Sequence, residues 1–278
     1  MKSDNIKEGR KKSPRTMAER ADRHDLYEKS VQNVKDEYDF INKTFEDLRG
    51  RKPVSVREDF CGTAGMCCEW VSRDSNNTAI GIDIDSEVLA WGREHNLSKL
   101  KAEEHMRVQL IQADVCTVQT PKSVDVVLAM NFSYQAFKTR EKLGGYFRHV
   151  RDGLVDDGML IIDVFGGYES FKEMREKRKY KGFKYVWEHA SYNPINGDMV
   201  CHIHFTFPDG SKLKKAFTYE WRMWTLPELQ ELLREAGYSK VTVYWEEVDE
   251  DDEGTGEYAP ATVGDADPSW VCFIVAEK

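Results

Sequence analysis

The chain has 278 residues, 40% of them apolar, which is enough to bury the core of a full α/β domain. Its 40 basic and 49 acidic residues give a net charge of −9, which argues against general binding to nucleic acid through phosphate neutralisation. Six cysteines without the spacing of a secreted scaffold indicate a reducing compartment. No apolar run is long enough to span a bilayer. We therefore expect a cytoplasmic protein with no membrane partner.

The first 52 residues are predicted to lie outside the main domain. Residues 1–23 hold eight Lys or Arg against four Asp or Glu and almost no apolar side chains, which predicts a basic, flexible arm. That arm could instead dock on an acidic partner, on nucleic acid or over the active site. Between Asp25 and Leu48, apolar residues recur every three or four positions, as in amphipathic helices. Residues 24–52 are therefore predicted to form a helical lid.

From residue 53 onward, short apolar runs alternate with amphipathic segments, as in βαβ units. The pattern predicts seven strands, at 54–58, 78–82, 107–112, 124–130, 159–165, 240–245 and 270–276. Helices are predicted at 65–73, 86–95 and 139–154, with a further helix from Thr225 to Gly237. This predicts one α/β domain over residues 53–278, with an acidic loop at 246–269 before the last strand.

An antiparallel meander is predicted to interrupt this alternation after the fifth strand. Residues 183–222 contain runs of alternating polarity, and the turn-forming segments 193–197 and 208–210 separate them. In the middle run His202 and His204 share one face, and the apolar residues share the other. These two histidines are candidates for a general base. A metal site is not expected, since no third ligand is evident.

Residues 56–65, followed by 79–85, organise the predicted domain. They are predicted to form a strand, a turn of small residues, a helix and a second strand that ends in Asp83. Such a turn lets a ligand approach the main chain, and the helix that follows offers unpaired N–H groups. An acid at this spacing accepts hydrogen bonds from a ribose diol. The pattern predicts a nucleoside-containing cofactor, with NAD and S-adenosylmethionine both open.

Three features favour S-adenosylmethionine. Glu58 begins the turn, where it would repel a pyrophosphate but attract the ammonium group of a methionine moiety. Asp114 follows the third strand and can accept from an adenine amine. A late antiparallel strand is the third feature, and here the chain, over residues 54–278, resembles the class I S-adenosylmethionine-dependent methyltransferases. Their first strand ends in acid-x-Gly-x-Gly-x-Gly, matched by residues 58–64 with Phe60 and Ala64 in place of glycines.

The resemblance implies a Rossmann-like mixed sheet of order 3-2-1-4-5-7-6, with strand 7 antiparallel, helices on both faces and the antiparallel insertion after strand 5. It also implies a cofactor site in which Asp83 binds the ribose and Met130 and Asn131 face the methyl donor. The remaining implied cofactor residues are Glu58, Phe60, Cys61, Gly62, Thr63, Ile84, Asp85, Asp114 and Val115. Residues 26–32, 57–64 and 221–229 more closely resemble a bacterial subgroup of small-molecule type.

The acceptor is therefore expected to be a small molecule, and nucleic acid is not an expected partner. Tyr134 is a candidate acceptor-site residue, because residues 131–134 occupy the position of the Asn-Pro-Pro-Tyr segment of some nucleic-acid N-methyltransferases. Two alternatives stay open. One is an RNA or protein methyltransferase that docks through residues 1–23, and the other is a cofactor-binding protein without turnover, suggested by Phe60 and Ala64. The sequence does not predict an oligomeric state.

Overall fold

The fold is described by a computed structural model over residues 15–250 and 254–278. These residues form twelve strands: β1 Ser55–Asp59, β2 Thr78–Asp83, β3 Val108–Gln112, β4 Val124–Ala129, β5 Leu154–Gly166, β6 Met174–Tyr180, β7 Phe183–Tyr192, β8 Asp198–Thr206, β9 Lys212–Arg222, β10 Lys240–Val248, β11 Gly254–Ala261 and β12 Trp270–Glu277. They also form eight α-helices: α1 Met17–Arg20, α2 Arg23–Ser30, α3 Val34–Arg49, α4 Gly65–Arg73, α5 Ser86–His95, α6 Ala102–His105, α7 Arg140–Asp152 and α8 Leu226–Glu235.

The main sheet has the order β3-β2-β1-β4-β5-β12-β10-β11. Strands β1 to β5 pair in parallel, and β12 is antiparallel to both β5 and β10. Since β10 and β12 are the sixth and seventh predicted strands, the α/β class, the order 3-2-1-4-5-7-6 and the antiparallel last strand are confirmed.

The eighth strand, β11, was not predicted, and it occupies part of the expected loop 246–269. It pairs antiparallel with β10 at the edge of the sheet. Its residues include Gly254, Gly256 and Pro260, which have low strand propensity. Proline is tolerated in an edge strand, where one side of the strand needs no ladder hydrogen bonds. The residue composition of β11 therefore does not predict a strand.

The insertion is a separate antiparallel sheet of order β6-β7-β8-β9. Its last three strands lie within the predicted meander 183–222, but the sheet begins earlier, at Met174. The sequence of β6 is Met-Arg-Glu-Lys-Arg-Lys-Tyr, which shows little apolar alternation. Charged side chains are common on edge strands because they discourage pairing with other chains. The strong charge of β6 thus fits its edge position and explains why it was missed.

Residues 1–14 of the predicted arm lie outside the described residues, and residues 15–23 contain helix α1 and the start of α2. Helix α1 is capped by Thr16 through a capping box with Glu19. The main-chain nitrogen of Met17 donates to Asp209 at 2.7 Å, and that of Ala18 donates to the Ser211 hydroxyl at 3.0 Å. The free N–H groups at the start of the helix thereby find acceptors in the turn between β8 and β9. A carboxylate at that position also suits the helix dipole.

Apolar side chains cover both faces of the main sheet. Helices α3 and α4 contribute to the core on one side, and α7 and α8 contribute on the other. Every residue of β4 is buried, as expected for a central parallel strand. None of the helices in the described ranges is long and apolar enough to cross a membrane. The helices packed on both faces hold the carboxyl ends of the parallel strands along one edge of the sheet, where the candidate site lies.

Candidate active site

The turn between β1 and α4 keeps a glycine-like main chain although two of its three glycine positions hold other residues. Phe60, Gly62 and Ala64 have φ angles of 59°, 51° and 61°. Only glycine adopts this left-handed conformation without steric cost, and each other residue costs about 1–2 kcal/mol. Two main-chain hydrogen bonds hold the turn, from Cys61 N to Ile82 O at 2.9 Å and from Ala64 N to Cys61 O at 2.8 Å. The departures from glycine therefore leave the turn geometry intact.

The same turn leaves room and hydrogen-bonding capacity for a polar ligand. A Cβ atom placed on Gly62 would meet nothing within 4 Å. The Thr63 hydroxyl oxygen is buried and has no hydrogen-bond partner among the described residues. Helix α4 begins directly after Ala64, which supplies no side-chain cap, and within its first turn the main chain of Cys67 donates to the Glu58 carboxylate. These features fit the carboxylate or hydroxyl groups of a nucleoside-type cofactor.

Asp83 at the end of β2 is fastened to this turn. Its Oδ2 accepts from the main-chain nitrogen of Gly62, and its Oδ1 accepts from that of Asp85, both at 2.9 Å. Burial raises the pKa of Asp83. The main chain of Ile84 also donates to this carboxylate, which leaves one of its lone pairs for a ligand hydroxyl. Beside it, Ile84 is 71% exposed, and Asp85 caps α5 through the nitrogen of Glu87 at 2.8 Å.

The loop after β3 lies next to Asp83. The main-chain nitrogen of Ala113 donates to the Asp83 carbonyl oxygen at 3.0 Å, which brings Asp114 to the same edge. Asp114 is exposed and accepts from the nitrogen of Cys116 at 2.8 Å, while Val115 is buried. The predicted ribose and adenine residues therefore form one group. Their contacts with a cofactor stay predictions.

Glu58 closes the other end of the turn as a buried carboxylate. The Cys67 thiol donates to its Oε2 at 3.2 Å. Burial raises the pKa of Glu58 to about 8, and the nearby charges of Glu37 and Asp83 act in the same direction. A bound cation would return the carboxylate to its ionised form. Binding of the cofactor ammonium group by Glu58 stays a prediction.

A cavity of 390 Å³ adjoins this region at the carboxyl ends of β4 and β5. Helices α2 and α3 cover one side, the inner face of the insertion covers another, and β11 and β12 complete it. Met130 and Asn131 line it, next to the turn between β1 and α4, which is called the cofactor turn below. Its aromatic lining consists of Tyr27, Phe40, Phe132, Phe165, Tyr185, Trp187, Tyr219, Trp221, Tyr258 and Phe273. The volume is within the range of small-molecule sites.

Asp163 of β5 lines this cavity and was missed by sequence reasoning. Its carboxylate accepts from the main-chain nitrogens of Asn131 and Phe132, at 2.8 and 2.9 Å. Those two residues have φ angles of 56° and 58°, so the acid fixes an unusual loop. Burial raises the pKa of Asp163 to about 7. Its signal in the sequence was a single acid within the otherwise apolar predicted strand 159–165.

Comparison with known proteins supports a nucleoside-cofactor enzyme. The family model described as a methyltransferase domain matches residues 59–158. That segment is a methyltransferase domain. The search of curated proteins finds no match.

Solved structures extend the similarity to nearly the whole chain. An S-adenosylmethionine-dependent methyltransferase from Clostridium acetobutylicum ATCC 824 has a TM-score of 0.68 and 16% identity, over 91% of this chain and 96% of that one. CalS10, an amino pentose methyltransferase from Micromonospora echinaspora, has a TM-score of 0.64 and 15% identity, over 91% of this chain and 95% of that one. The sugar N-methyltransferase KedS8 from Streptoalloteichus sp ATCC 53650 has a TM-score of 0.61 and 16% identity, over 92% of this chain and 92% of that one.

The structural matches, at these low identities, show a shared fold. The match to the methyltransferase family model identifies the reaction. The predicted class I methyltransferase is confirmed. S-adenosylmethionine is the cofactor that belongs to this domain and fold, and the turn, Glu58 and Asp83 have the space and polarity to hold it.

Tyr134, the predicted acceptor-site tyrosine, lies in the core and not in the cavity lining. Tyr134 is 0% exposed, and its hydroxyl donates to the main-chain oxygen of Asp163 at 3.0 Å. It is thus a core residue that supports β5, and its side chain does not line the cavity. The reason is the short 3-10 helix Ser133–Ala136, which turns the side chain away from the sheet edge.

The two predicted histidines also point away from the cavity. His202 bonds to the Thr218 hydroxyl at 3.0 Å. His204 contacts Glu188 through Nε2 at 2.7 Å and accepts from the Lys215 main chain at Nδ1 at 3.0 Å. The cavity instead borders the opposite face of β8, which carries Ile203. Neither histidine reaches an acceptor in this cavity.

The histidine that does line the cavity is His189 of β7, which the sequence analysis did not single out. Alternation along β7 places it on one face with Tyr185 and Trp187, and this was the signal available in the sequence. Burial lowers the pKa of His189. Within the described ranges, no group of three His, Cys, Asp or Glu side chains is placed to hold a metal ion.

Proposed function

We propose that this protein transfers a methyl group from S-adenosylmethionine to the nitrogen of a small-molecule amine. The observation that carries the proposal is the cavity beside Met130 and Asn131, because it combines a buried carboxylate with aromatic walls. A protonated amine is the group that both kinds of side chain favour. Carboxylates attract it directly, and aromatic faces attract it through their quadrupoles.

The charges that line the cavity support an amine. Its acidic lining residues are Asp36, Glu37, Asp163, Glu169 and Glu176, against Arg178 as the basic residue among the cavity residues of the described chain. Asp163 is 8% exposed, so its charge is poorly screened by solvent. An anionic acceptor would be repelled from the inner end of this cavity. A cationic amine would be drawn towards the methyl donor.

The solved relatives support the same acceptor class. Among those with the same fold, two are described as an amino pentose methyltransferase and a sugar N-methyltransferase. We infer a comparable small amine here, of a size that fits 390 Å³.

The residues of this chain would divide the work by position. Glu58 would hold the cofactor ammonium group, Asp83 the ribose, and the left-handed turn would let the cofactor lie against the main chain. S-adenosylmethionine supplies an already activated methyl group, so the enzyme mainly provides orientation and exclusion of water. Asp163 would orient the acceptor nitrogen near Met130 and Asn131. The aromatic walls would exclude water around it.

Transfer of a labelled methyl group to a panel of primary amines, including amino sugars, tests the proposal. We expect incorporation into at least one amine and none into matched alcohols. The variant Asp163→Asn should lower the rate at least tenfold while calorimetry still detects S-adenosylmethionine. Labelled alcohols in place of amines would overturn the choice of nitrogen, and no transfer at all would overturn the proposal.

The turnover-free alternative rested on Phe60 and Ala64. Both residues adopt the left-handed conformation of the glycines they replace, so they no longer favour a protein without turnover. Docking of RNA or protein through the arm stays a prediction, since residues 1–14 lie outside the described ranges. It would require acceptor binding that weakens steeply with salt and with deletion of the arm.

A further inference from the structure

Glu37 lies in the first turn of α3 and, like Asp163, lines the cavity. It is half-buried, and its carboxylate accepts a hydrogen bond from the main chain of Asn33. Its charge acts on Asp163 and on Glu58, so it is close to both predicted ligand positions. The neighbouring Asp36 is exposed. Glu37 thus stands between the cavity and solvent.

We propose that Glu37 is the general base that removes a proton from the acceptor ammonium group before methyl transfer. The assignment rests on the proposed function, since the proton to be removed is that of an amine acceptor, which arrives as an ammonium ion at neutral pH. The structural basis is a half-buried carboxylate in the cavity lining, carried by a helix that also borders solvent.

The step balances with the groups named. An N–H bond of the acceptor ammonium breaks, its electron pair stays on nitrogen, and the proton passes to a carboxylate oxygen of Glu37. The nitrogen lone pair then forms the new N–C bond as the C–S bond of the donor breaks. The sulfur keeps that electron pair and becomes a neutral thioether. The proton leaves Glu37 to solvent along the exposed side of α3.

Other titratable groups of the cavity are less suited to this role. The Asp163 carboxylate is committed to the main-chain nitrogens of Asn131 and Phe132, which favour its ionised form and would lose part of their bonding on protonation. Glu58 accepts from the Cys67 thiol and is assigned to the cofactor. His189 is hydrogen-bonded to the main chain of Ser170 and remains the competing base, to be tested beside Glu37.

The surroundings of Glu37 set the pH at which it acts. Burial raises its pKa to about 7, and Asp36 adds to the effect. The charged and titratable groups facing the same cavity from the packed elements are Tyr27, Asp163, Glu169, Glu176, Arg178, Tyr185, His189, Tyr219 and Tyr258, with Glu58 behind them. Glu37 accepts a proton only when ionised, so the acid limb of the rate profile should lie near pH 7.

The test compares the wild type with Glu37→Gln, Glu37→Asp, His189→Gln and the control Asp39→Asn, which changes an exposed acid on the same helix. Labelled methyl transfer to the amine panel is followed from pH 6 to 10. At pH 7, Glu37→Gln should lower kcat by roughly 10²- to 10⁴-fold. Binding of S-adenosylhomocysteine, measured by calorimetry, should change less than about threefold. Glu37→Asp should restore part of the rate.

The pH profile separates a base from a residue that only supports the fold. The deficit of Glu37→Gln should shrink as pH rises, because the acceptor then arrives neutral and needs no base. A deficit independent of pH, or a wild-type rate in Glu37→Gln, would overturn the assignment and leave the proposed function intact. Loss of the acid limb in His189→Gln instead would transfer the role to His189. No methyl transfer by the wild type would overturn the proposed function itself.

Discussion

The main-chain nitrogen of Gly62 donates to Oδ2 of Asp83 at 2.9 Å, so the end of β2 fixes the turn after β1. The carboxylate that is proposed to bind the ribose of the cofactor therefore also shapes the turn at residues 60–64. Hydrogen bonds to charged groups contribute about 1.5–3 kcal/mol each.

Asp83→Asn should weaken S-adenosylmethionine binding by about 10- to 100-fold, because the amide cannot accept on both sides as the carboxylate does. Calorimetric titration measures the change, and Glu94→Gln, on the exposed side of α5, is the control. Equal affinity in Asp83→Asn and wild type would show that the cofactor is held elsewhere.

Gly62→Ala should separate backbone strain from loss of ligand space. The φ of 51° costs an alanine about 1–2 kcal/mol of unfolding free energy. The added methyl meets no protein atom within 4 Å, so it projects into the space assigned to the cofactor, and affinity should fall at least tenfold.

Gly210→Ala is the matched control for that variant. Gly210 has a φ of 81° and equally open surroundings, but it lies in the turn between β8 and β9. It should lose similar stability in urea unfolding while cofactor affinity stays unchanged. The assignment of the turn fails if both variants bind the cofactor as the wild type does.

Cofactor affinity should rise as the pH increases from 6 to 8. The pKa of Glu58 is raised to about 8 by burial, and a bound ammonium group favours the ionised carboxylate. Glu58→Gln should lower the affinity at pH 8 and flatten the pH dependence. Calorimetry at several pH values measures both effects.

Stability without cofactor should move in the opposite direction. Because the folded pKa of Glu58 lies above its ordinary value of 4.5, its contribution to stability is present below that value and is lost as pH rises through about 8. Glu58→Gln should therefore gain stability relative to the wild type between pH 6 and 9, on the order of 1–4 kcal/mol. An identical pH dependence in urea unfolding would contradict the raised pKa.

His204→Gln should leave methyl transfer within about twofold of wild type, because the side chain points away from the cavity. The loss of its contacts with Glu188 and Lys215 should cost about 1–2 kcal/mol of unfolding free energy. Labelled transfer and urea unfolding measure the two effects. A large loss of kcat without a change in cofactor affinity would restore His204 as a candidate base.

Local patterns were sufficient to predict seven of the eight strands of the main sheet, whereas the order of those strands came from the resemblance to the methyltransferases. Apolar runs gave β1 to β5, and the spacing from Glu58 to Asp83 predicted residues that the fold does bring together. Strands β6 and β11 were missed because their charged, glycine or proline residues reflect edge positions, which depend on neighbouring strands. Propensity does not encode such neighbours.

The acceptor side was harder to predict because its residues come from distant segments. Glu37, Asp163 and His189 meet only when α3, β5 and β7 assemble around the cavity. The sequence did give the two faces of β8, but it did not tell which face would be turned inward. Tyr134 had the right position along the chain, yet the 3-10 helix Ser133–Ala136 rotates it into the core.

Trp187 and Trp221 stand in the wall of the cavity, and their rings lie 6.1 Å apart. Indole emission depends on the polarity and the aromatic contacts around the ring. Entry of a compound into this space should therefore alter the intrinsic fluorescence of the protein before any bond is made or broken. Unlabelled chemical libraries can thus be screened optically for ligands.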